Sequence, residues 1–334
     1  MPYYTDNTGI IKSTKVSTLT GVYDIDYAKL NRAAPVASSQ IAINFATDGS
    51  SSSGPGTQAG YAASAGTVIP ASANYVFISG YHYFDLLPGT YTVVIRGAEG
   101  SGNNHGLGAV INATMVVVLA SRFVALVGNY GTGLYGGGGM TAIALRNAAT
   151  DVYTSAIPIL VAGGGGGGYD QTVTTQAWAG QTTDDPTIRR GIATDGPSPG
   201  VGVYDGGAAF SNVYSPIRFS SVTGVQGDVG AQHFVWGGLG GRNSPCGVGH
   251  GGFGGGGGAC PGGGGGYYGG KAGGDTPSQS PGGGGTSYRL ESGGTAYISA
   301  WSSGGWQGTT AGSGTTWTVG GTTGLGGFFS ITPA

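Results

Sequence analysis

Short runs in which apolar and polar positions alternate fill the stretch from residue 64 to 127. In "NYVFISGYHYFDLLPGTYTVVIRGAEG" two such runs flank Leu87-Pro88-Gly89, where Pro presets φ and Gly tolerates a positive φ. "GAVINATMVVVLASRFVALVGNYG" supplies two further strands, and "MTAIALRN" with "IPILVAG" adds another pair. The apolar period is two rather than 3.6 and the turns are short. This predicts an all-β fold, a β-sandwich or jelly roll.

Residues 1–47 read as a separate N-terminal attachment arm. "IIKSTKVSTLTGVYDI" is rich in β-branched residues, and "DIDYAKLNRAAP" permits a short helix from about Asp24 to just before Pro35. "DGSSSSGPGTQAG" lies at the start of a linker or loop over 48–63. The main domain is then 64–334. In its tail, "AYISAWSSGGWQGTTAGSGTTWTVGGTTGLGGFFSITPA", strands alternate with Gly/Ser/Thr turns. Trp301, Trp306 and Trp317 either close the sandwich or form a subunit interface.

Composition changes the picture in one respect. The chain of 334 residues has 75 glycines, many of them in tracts at 136–139, 163–168, 251–258 (broken only by Phe253), 262–266 and 282–285. Disorder is the ordinary reading of so much glycine, but aromatic residues make up 10% and charged residues only 8%, the reverse of a disordered chain. The tracts lack the three-residue repeat of collagen and the serine of flexible linkers. Polyglycine in the polyproline II conformation remains. Its backbone groups all point sideways, so buried tracts must bond to one another, and only glycine lets backbones come that close. Gly163, Gly165, Gly168, Gly254, Gly258, Gly262, Gly266 and Gly282 are the expected members of this lattice. The strands of 64–160 supply the apolar support, with Phe253, Tyr267 and Tyr268 placed to cover it.

Charge and motifs exclude several functions. The net charge is -2 and no basic cluster exceeds Arg189-Arg190, so no nucleic-acid partner is expected. The longest apolar run, "AVINATMVVVLA", is interrupted by Asn112 and Thr114, so no membrane insertion is expected. "MPYYTDNTGI" lacks the basic and apolar regions of a secretory leader, which points to synthesis in a cytoplasm. The Tyr/Thr/Ser/Gly-rich, weakly charged composition suits work outside a cell. A virion component made in a host cytoplasm satisfies both.

"GTGLYG" at 131–136 fits G-x-G-x-x-G, with Asp151 beyond it, but glycines and a strand follow where a dinucleotide site needs a helix. No cofactor is expected. Asn112 heads an "NAT" sequon that, without secretion, is one polar position in a strand. Glu99, Asp184, Asp185, Asp205, His82, His105, His233 and His250 form no recognisable catalytic motif, so no enzyme is expected. Cys246 and Cys260 enclose thirteen residues and are a disulfide candidate, or else free buried thiols. His250 makes a third zinc-ligand type between them, but no fourth is evident and no metal is expected.

Residues 169–248 form an insertion between glycine tracts, carrying Tyr169, Trp178, Tyr204, Phe210, Tyr214, Phe219, Phe234 and Trp236 among polar residues. Segments anchored at both ends on a rigid base suit recognition, and Tyr and Trp offer amphipathic contact area at low entropic cost. Tyr169, Trp178, Tyr204, Tyr214 and Trp236 are the receptor-binding candidates.

"IPILVAGGGGGGYD", "GGFGGGGGACPGGGGGYYGGKAGG" and "GGGGTSYRL", preceded by "GTYTVVIRGAEG" and "FVALVGNYG", closely resemble the extracellular glycine-rich domain of the anaplastic lymphoma kinase receptor family. That resemblance covers roughly residues 75–290 and implies a β-sandwich bearing a polyglycine II bundle, without implying the receptor's function. The architecture is also similar to the glycine-rich adhesins at the tips of phage tail fibres. "TLTGVYDIDYAKLNRAAP" resembles short leader elements of phage structural proteins, with Tyr23 where those have Trp. The resemblance implies a tail-fibre or spike adhesin. Its implied partners are other virion proteins through the arm, a host glycan or outer-membrane protein, and further copies of itself, as in a trimer.

Overall fold

The computed structural model describes residues 4–5, 11–12, 43–46, 75–78, 80–102, 105–118, 120–133, 136–145, 156–168, 207, 234, 238, 240–241, 249–258, 261–270, 282–290, 298–302, 318–319, 322–323 and 326–334. The chain divides into two compact units, Met1–Ser39 and Gln40–Ala334. In the first, β1 (Tyr4–Thr5) pairs antiparallel with β2 (Ile11–Lys12). The expected helix after Asp24 and the 48–63 linker lie outside the described residues.

The second unit contains β3 (Ile43–Ala46), β4 (Val76–Ile78), β5 (Tyr81–Leu86), β6 (Gly89–Arg96), β7 (Val110–Val117), β8 (Ser121–Leu126), β9 (Thr132–Gly133), β10 (Thr141–Leu145) and β11 (Ile157–Ala162). It continues with β12 (Gly249–His250), β13 (Tyr288–Arg289), β14 (Ile298–Ser302), β15 (Thr318–Val319), β16 (Thr322–Thr323) and β17 (Phe328–Pro333). The described residues are all-β, without an α-helix, and every strand pair is antiparallel. Two sheets dominate. The larger has six strands in the order β13-β11-β10-β8-β5-β4, and the smaller has five in the order β14-β7-β6-β17-β3. Ile43–Ala46, inside the segment read as an arm, is thus the edge strand of the smaller sheet.

The sheets meet through an aromatic contact. Phe84 on β5 and Phe123 on β8 lie 6.1 Å apart, and Phe84 reaches Phe329 on β17 at 5.8 Å. The chain crosses from one sheet to the other at Leu87-Pro88, because β5 and β6 belong to different sheets. Tyr91 ties this corner by donating its hydroxyl to the Leu87 carbonyl at 2.8 Å. The short connection from β7 to β8 also changes sheet.

Burial follows the position of each strand. β6 alternates, with Tyr91, Val93 and Ile95 buried and Thr90 and Thr92 exposed, as expected of a sheet with one wet face. β7 exposes Asn112, the polar strand position expected there. β8, β10 and β11 are buried almost throughout, because the larger sheet is covered on both faces. One face carries Phe84 and Phe123 toward the smaller sheet. The other carries Tyr81, Tyr83, Val124, Leu126, Ala142, Ala144 and Val161 into a cluster with Phe234, Phe253 and Tyr267.

Candidate functional site: the far end of the glycine layer

Six strands open into glycine-rich backbone. β6 runs into 97–101 and β7 emerges from 105–109, β8 runs into 127–131 and β10 emerges from 136–140. β11 runs into 163–168, and β13 emerges from 282–287. These segments bond sideways to one another rather than internally.

The tract 163–168 shows the rule. Gly164 and Gly167 donate to the carbonyls of Gly265 and Gly262, both at 2.8 Å, and accept from Gly285 and Gly282 at 2.9 and 3.0 Å. Gly165 and Gly168 donate to Ala98 and Ser101 at 2.9 and 2.8 Å, while Gly163 and Gly166 accept from Ala109 and Gly106 at 2.8 Å. Residues three apart therefore address the same neighbour. The approach is close enough that a Cβ on Gly163, Gly164, Gly165 or Gly166 would strike a backbone carbonyl of Gly285, Gly138, Gly106 or Gly282 respectively.

Among the expected lattice members, Gly163, Gly165, Gly168, Gly262 and Gly282 take part in this bonding or close packing. Gly266 lies against the backbone of Thr286, and Gly258 is buried. Gly254 sits in a bend rather than a straight run. Gly254 and Gly255 have φ of 97° and 81°, which L side chains rarely adopt, and both donate to the Gly238 carbonyl, at 2.7 and 3.1 Å. Gly256 donates back to Gly252 at 2.9 Å, so the run 251–258 folds at Phe253. The bend turns the Phe253 ring under the larger sheet, where Tyr81 lies 6.3 Å away and Gly80 leaves it room.

The end of this layer remote from the sheets gathers Ser101, Gly136, Gly168, Gly262 and Gly282. Gly168 bonds to Ser101, Ser101 N–H to Gly136 at 2.8 Å, Gly167 to Gly262, and Gly282 to Gly167. The Ser101 hydroxyl adds contacts to the Thr132 and Gly136 carbonyls at 3.1 and 3.2 Å and accepts the Gly136 N–H at 2.8 Å. β9 pairs there with β12, and Thr132 Oγ1 accepts the His250 N–H at 3.2 Å.

The receptor-binding candidates Tyr169, Trp178, Tyr204, Tyr214 and Trp236, the pair Cys246 and Cys260, and Asp184, Asp185, Asp205 and His233 lie outside the described residues. Their anchors do not. Gly168 precedes the insertion at the remote end, and Gly207 within it donates to Gly270 at 2.8 Å. Phe234 is fully buried, its ring edge-on to Tyr81 at 5.2 Å, and it accepts the Tyr81 hydroxyl through its carbonyl. The insertion therefore returns to the body at Gly207 and at Phe234. No sequence signal separates Phe234 from its aromatic neighbours.

Two histidines have opposed environments. His105 Nε2 lies 3.4 Å from Glu99 Oε2, and its Nδ1 lies 2.8 Å from the Gly102 carbonyl, to which it donates. The hydrogen bond to Glu99 raises its pKa against the opposing effect of burial. His82 is buried on β5 with its Nδ1 2.9 Å from the Tyr75 hydroxyl, and burial pushes its pKa down to about 3. The imidazole is thus neutral and shares a hydrogen bond through Nδ1 with the Tyr75 hydroxyl, whose own pKa burial raises. Among the described residues no group of three His, Cys, Asp or Glu could hold a metal ion, and no helix is long and apolar enough to cross a membrane.

Neither protein-family models nor curated proteins give a match to this chain.

Proposed function

We propose that the chain is a non-enzymatic display protein of a phage virion, a tail-fibre or spike component that binds the host receptor. Its glycine layer is a packed polyglycine II bundle. Three residues per turn is the period of that helix, and the bonding of 163–168, in which residues three apart address one neighbour, supports the assignment. Such a bundle is a stiff base, since each bond joins different stretches of the chain.

One observation carries the reading. Tract ends gather at the end of the layer remote from the sheets, and the 169–206 segment with Tyr169, Trp178 and Tyr204 departs there from Gly168. Recognition residues held on a rigid base, with Tyr and Trp as contact groups, suit a host glycan or an outer-membrane protein. Residues 1–39 then serve as the arm that joins other virion proteins, and the protein works on the particle after synthesis in the host cytoplasm. The resemblance to tail-fibre tip adhesins supports the same reading.

The test has two parts. Gold label on the C-terminus of the protein in intact particles should fall at a fibre or tail tip. Label over the head would make it a structural decoration, and absence from particles would favour a secreted ligand-binding module. Deletions of 170–205 and of 209–232, made separately so that Gly207 and Phe234 stay, should abolish adsorption in at least one case while particles still assemble. Unchanged adsorption with both deletions would exclude these segments from receptor binding.

A further inference from the structure

A cluster of three tyrosines lies at β13, the edge strand of the larger sheet. Tyr267 and Tyr288 are stacked, with ring centroids 4.1 Å apart and planes 15° from parallel, and Tyr268 meets Tyr267 edge-on at 5.0 Å and 72°. The two segments that carry the rings are bonded together. The Tyr267 N–H donates to the Thr286 carbonyl, the Thr286 N–H to the Tyr268 carbonyl and the Tyr268 N–H to Thr286 Oγ1, each at 2.9 Å. Just before them, a side chain on Gly285 would strike the Gly265 carbonyl. Sliding one segment past the other would break these contacts, so the glycine layer holds the rings in place. Tyr267 is buried, whereas Tyr268 and Tyr288 are half-buried. The stack covers one face of the Tyr288 ring, and solvent reaches part of what it leaves.

We propose that Tyr288 and Tyr268 form a platform for a neutral sugar, with a pyranose ring laid by its C–H face on Tyr288 and braced by Tyr268. A pyranose has an apolar face and a rim of hydroxyls, and a tyrosine ring offers the matching apolar face with a polar tip. Charge favours a neutral ligand. Segments 261–270 and 282–288 carry no charged side chain. Arg289 is next along β13, but it opposes Leu160 while Tyr288 opposes Val161, so alternation sends the cation to the other face of the sheet. A quaternary ammonium also suits aromatic faces, yet neither segment supplies a carboxylate to favour it over a sugar. Rings fixed before binding lose little freedom when the ligand arrives, which suits recognition of a small, weakly held group. The platform lies outside the 169–248 insertion, so it stands apart from the receptor role proposed for that insertion.

The test is saturation-transfer NMR on the full chain, with soluble glucan, mannan, galactan and N-acetylglucosamine oligomers as probes. At least one should bind, with transfer concentrated on the C–H protons of one sugar face. Tyr288→Ala and Tyr268→Ala should each weaken that binding about tenfold, the scale of one aromatic contact, while Tyr288→Phe keeps it. Unfolding curves accompany each variant. If Tyr288→Ala does not fold, Tyr268→Ala carries the test, because its edge-on ring is not part of the stack. Binding of no probe by the wild type, or undiminished binding in the alanine variants, would overturn the proposal. So would loss of binding on deletion of 170–205 with the tyrosines intact, which would move the sugar to the insertion. Binding of tetramethylammonium with none of the sugars would overturn it as well, and make the cluster a cation site.

Discussion

Gly163 packs so closely against the Gly285 carbonyl that no side chain fits between them. Backbone on both sides prevents the easy repacking that rescues many core substitutions. Gly163→Ala should lower unfolding free energy by about 3 kcal/mol in urea titrations, at the upper end of ordinary overpacking. Thr92→Ala, on the exposed face of β6, should change it by no more than about 0.5 kcal/mol. Equal effects would show that position 163 is not so enclosed.

His82 makes stability fall with acid. Its folded pKa is about 3 and its ordinary value 6.5, so below 6.5 the unfolded chain takes up a proton that the folded chain refuses. The contribution is fully present above 6.5 and is lost as pH falls toward 3. Between pH 7 and 5 the loss should be about 2 kcal/mol, read from urea midpoints. His105 has the opposite sign: its raised pKa gives a contribution present below 6.5 and lost as pH rises through the folded value. Comparing wild type with His82→Gln isolates the first effect, and identical slopes in the two proteins would contradict the buried neutral imidazole.

Phe234 belongs to the body although it lies inside the insertion. Phe234→Ala should cost about 3–5 kcal/mol, the range for a fully buried phenylalanine. Deleting 170–205 should cost far less. A calorimetric comparison of melting temperatures decides between them, and the reverse order would mean that the first segment supports the sandwich.

Arg122 grips Asp85 with two hydrogen bonds, Nε to Oδ1 at 2.6 Å and a terminal nitrogen to Oδ2 at 3.1 Å. The side chains are 31% and 32% exposed, so solvent and salt screen the pair. Asp85→Asn should cost about 0.5–1 kcal/mol at low ionic strength and less in 1 M salt. A loss that does not shrink with salt would point to a packing role for the carboxylate.

Short apolar runs between turns were enough to read β5, β6, β7, β8, β10 and β11, with period-two alternation clearest in β6, which has one wet face, and absent from β10 and β11, which are apolar on both faces. They were not enough to assign these strands to sheets. Leu87-Pro88-Gly89 has the chemistry of a turn whether the chain returns beside itself or crosses to the opposite sheet, and the Tyr91 hydrogen bond that ties the corner arises only after it crosses. The glycine tracts were legible as packed backbone from what they lack, serine and charge. The bend at Gly254 was not, since consecutive glycines carry no side chain to mark a change of direction. Phe234 was grouped with the other aromatics of the insertion, outside the receptor-binding candidates, because aromatic character alone does not tell a core ring from an exposed one. The pairing of Glu99 with His105 was equally hidden: the chain must turn at Gly102 to bring them together.

Because Gly164 is bonded to both Gly265 and Gly285, the layer is a meeting place of stretches made at different times. A nascent chain that has reached residue 168 has eight of the eleven strands of the two main sheets but none of the later tracts. Long-range pairing of this kind makes folding slow and concerted. Gly164 and Gly167 must stay hydrated until residues 262–285 have been made, so the layer becomes resistant to proteolysis in a late step rather than by degrees.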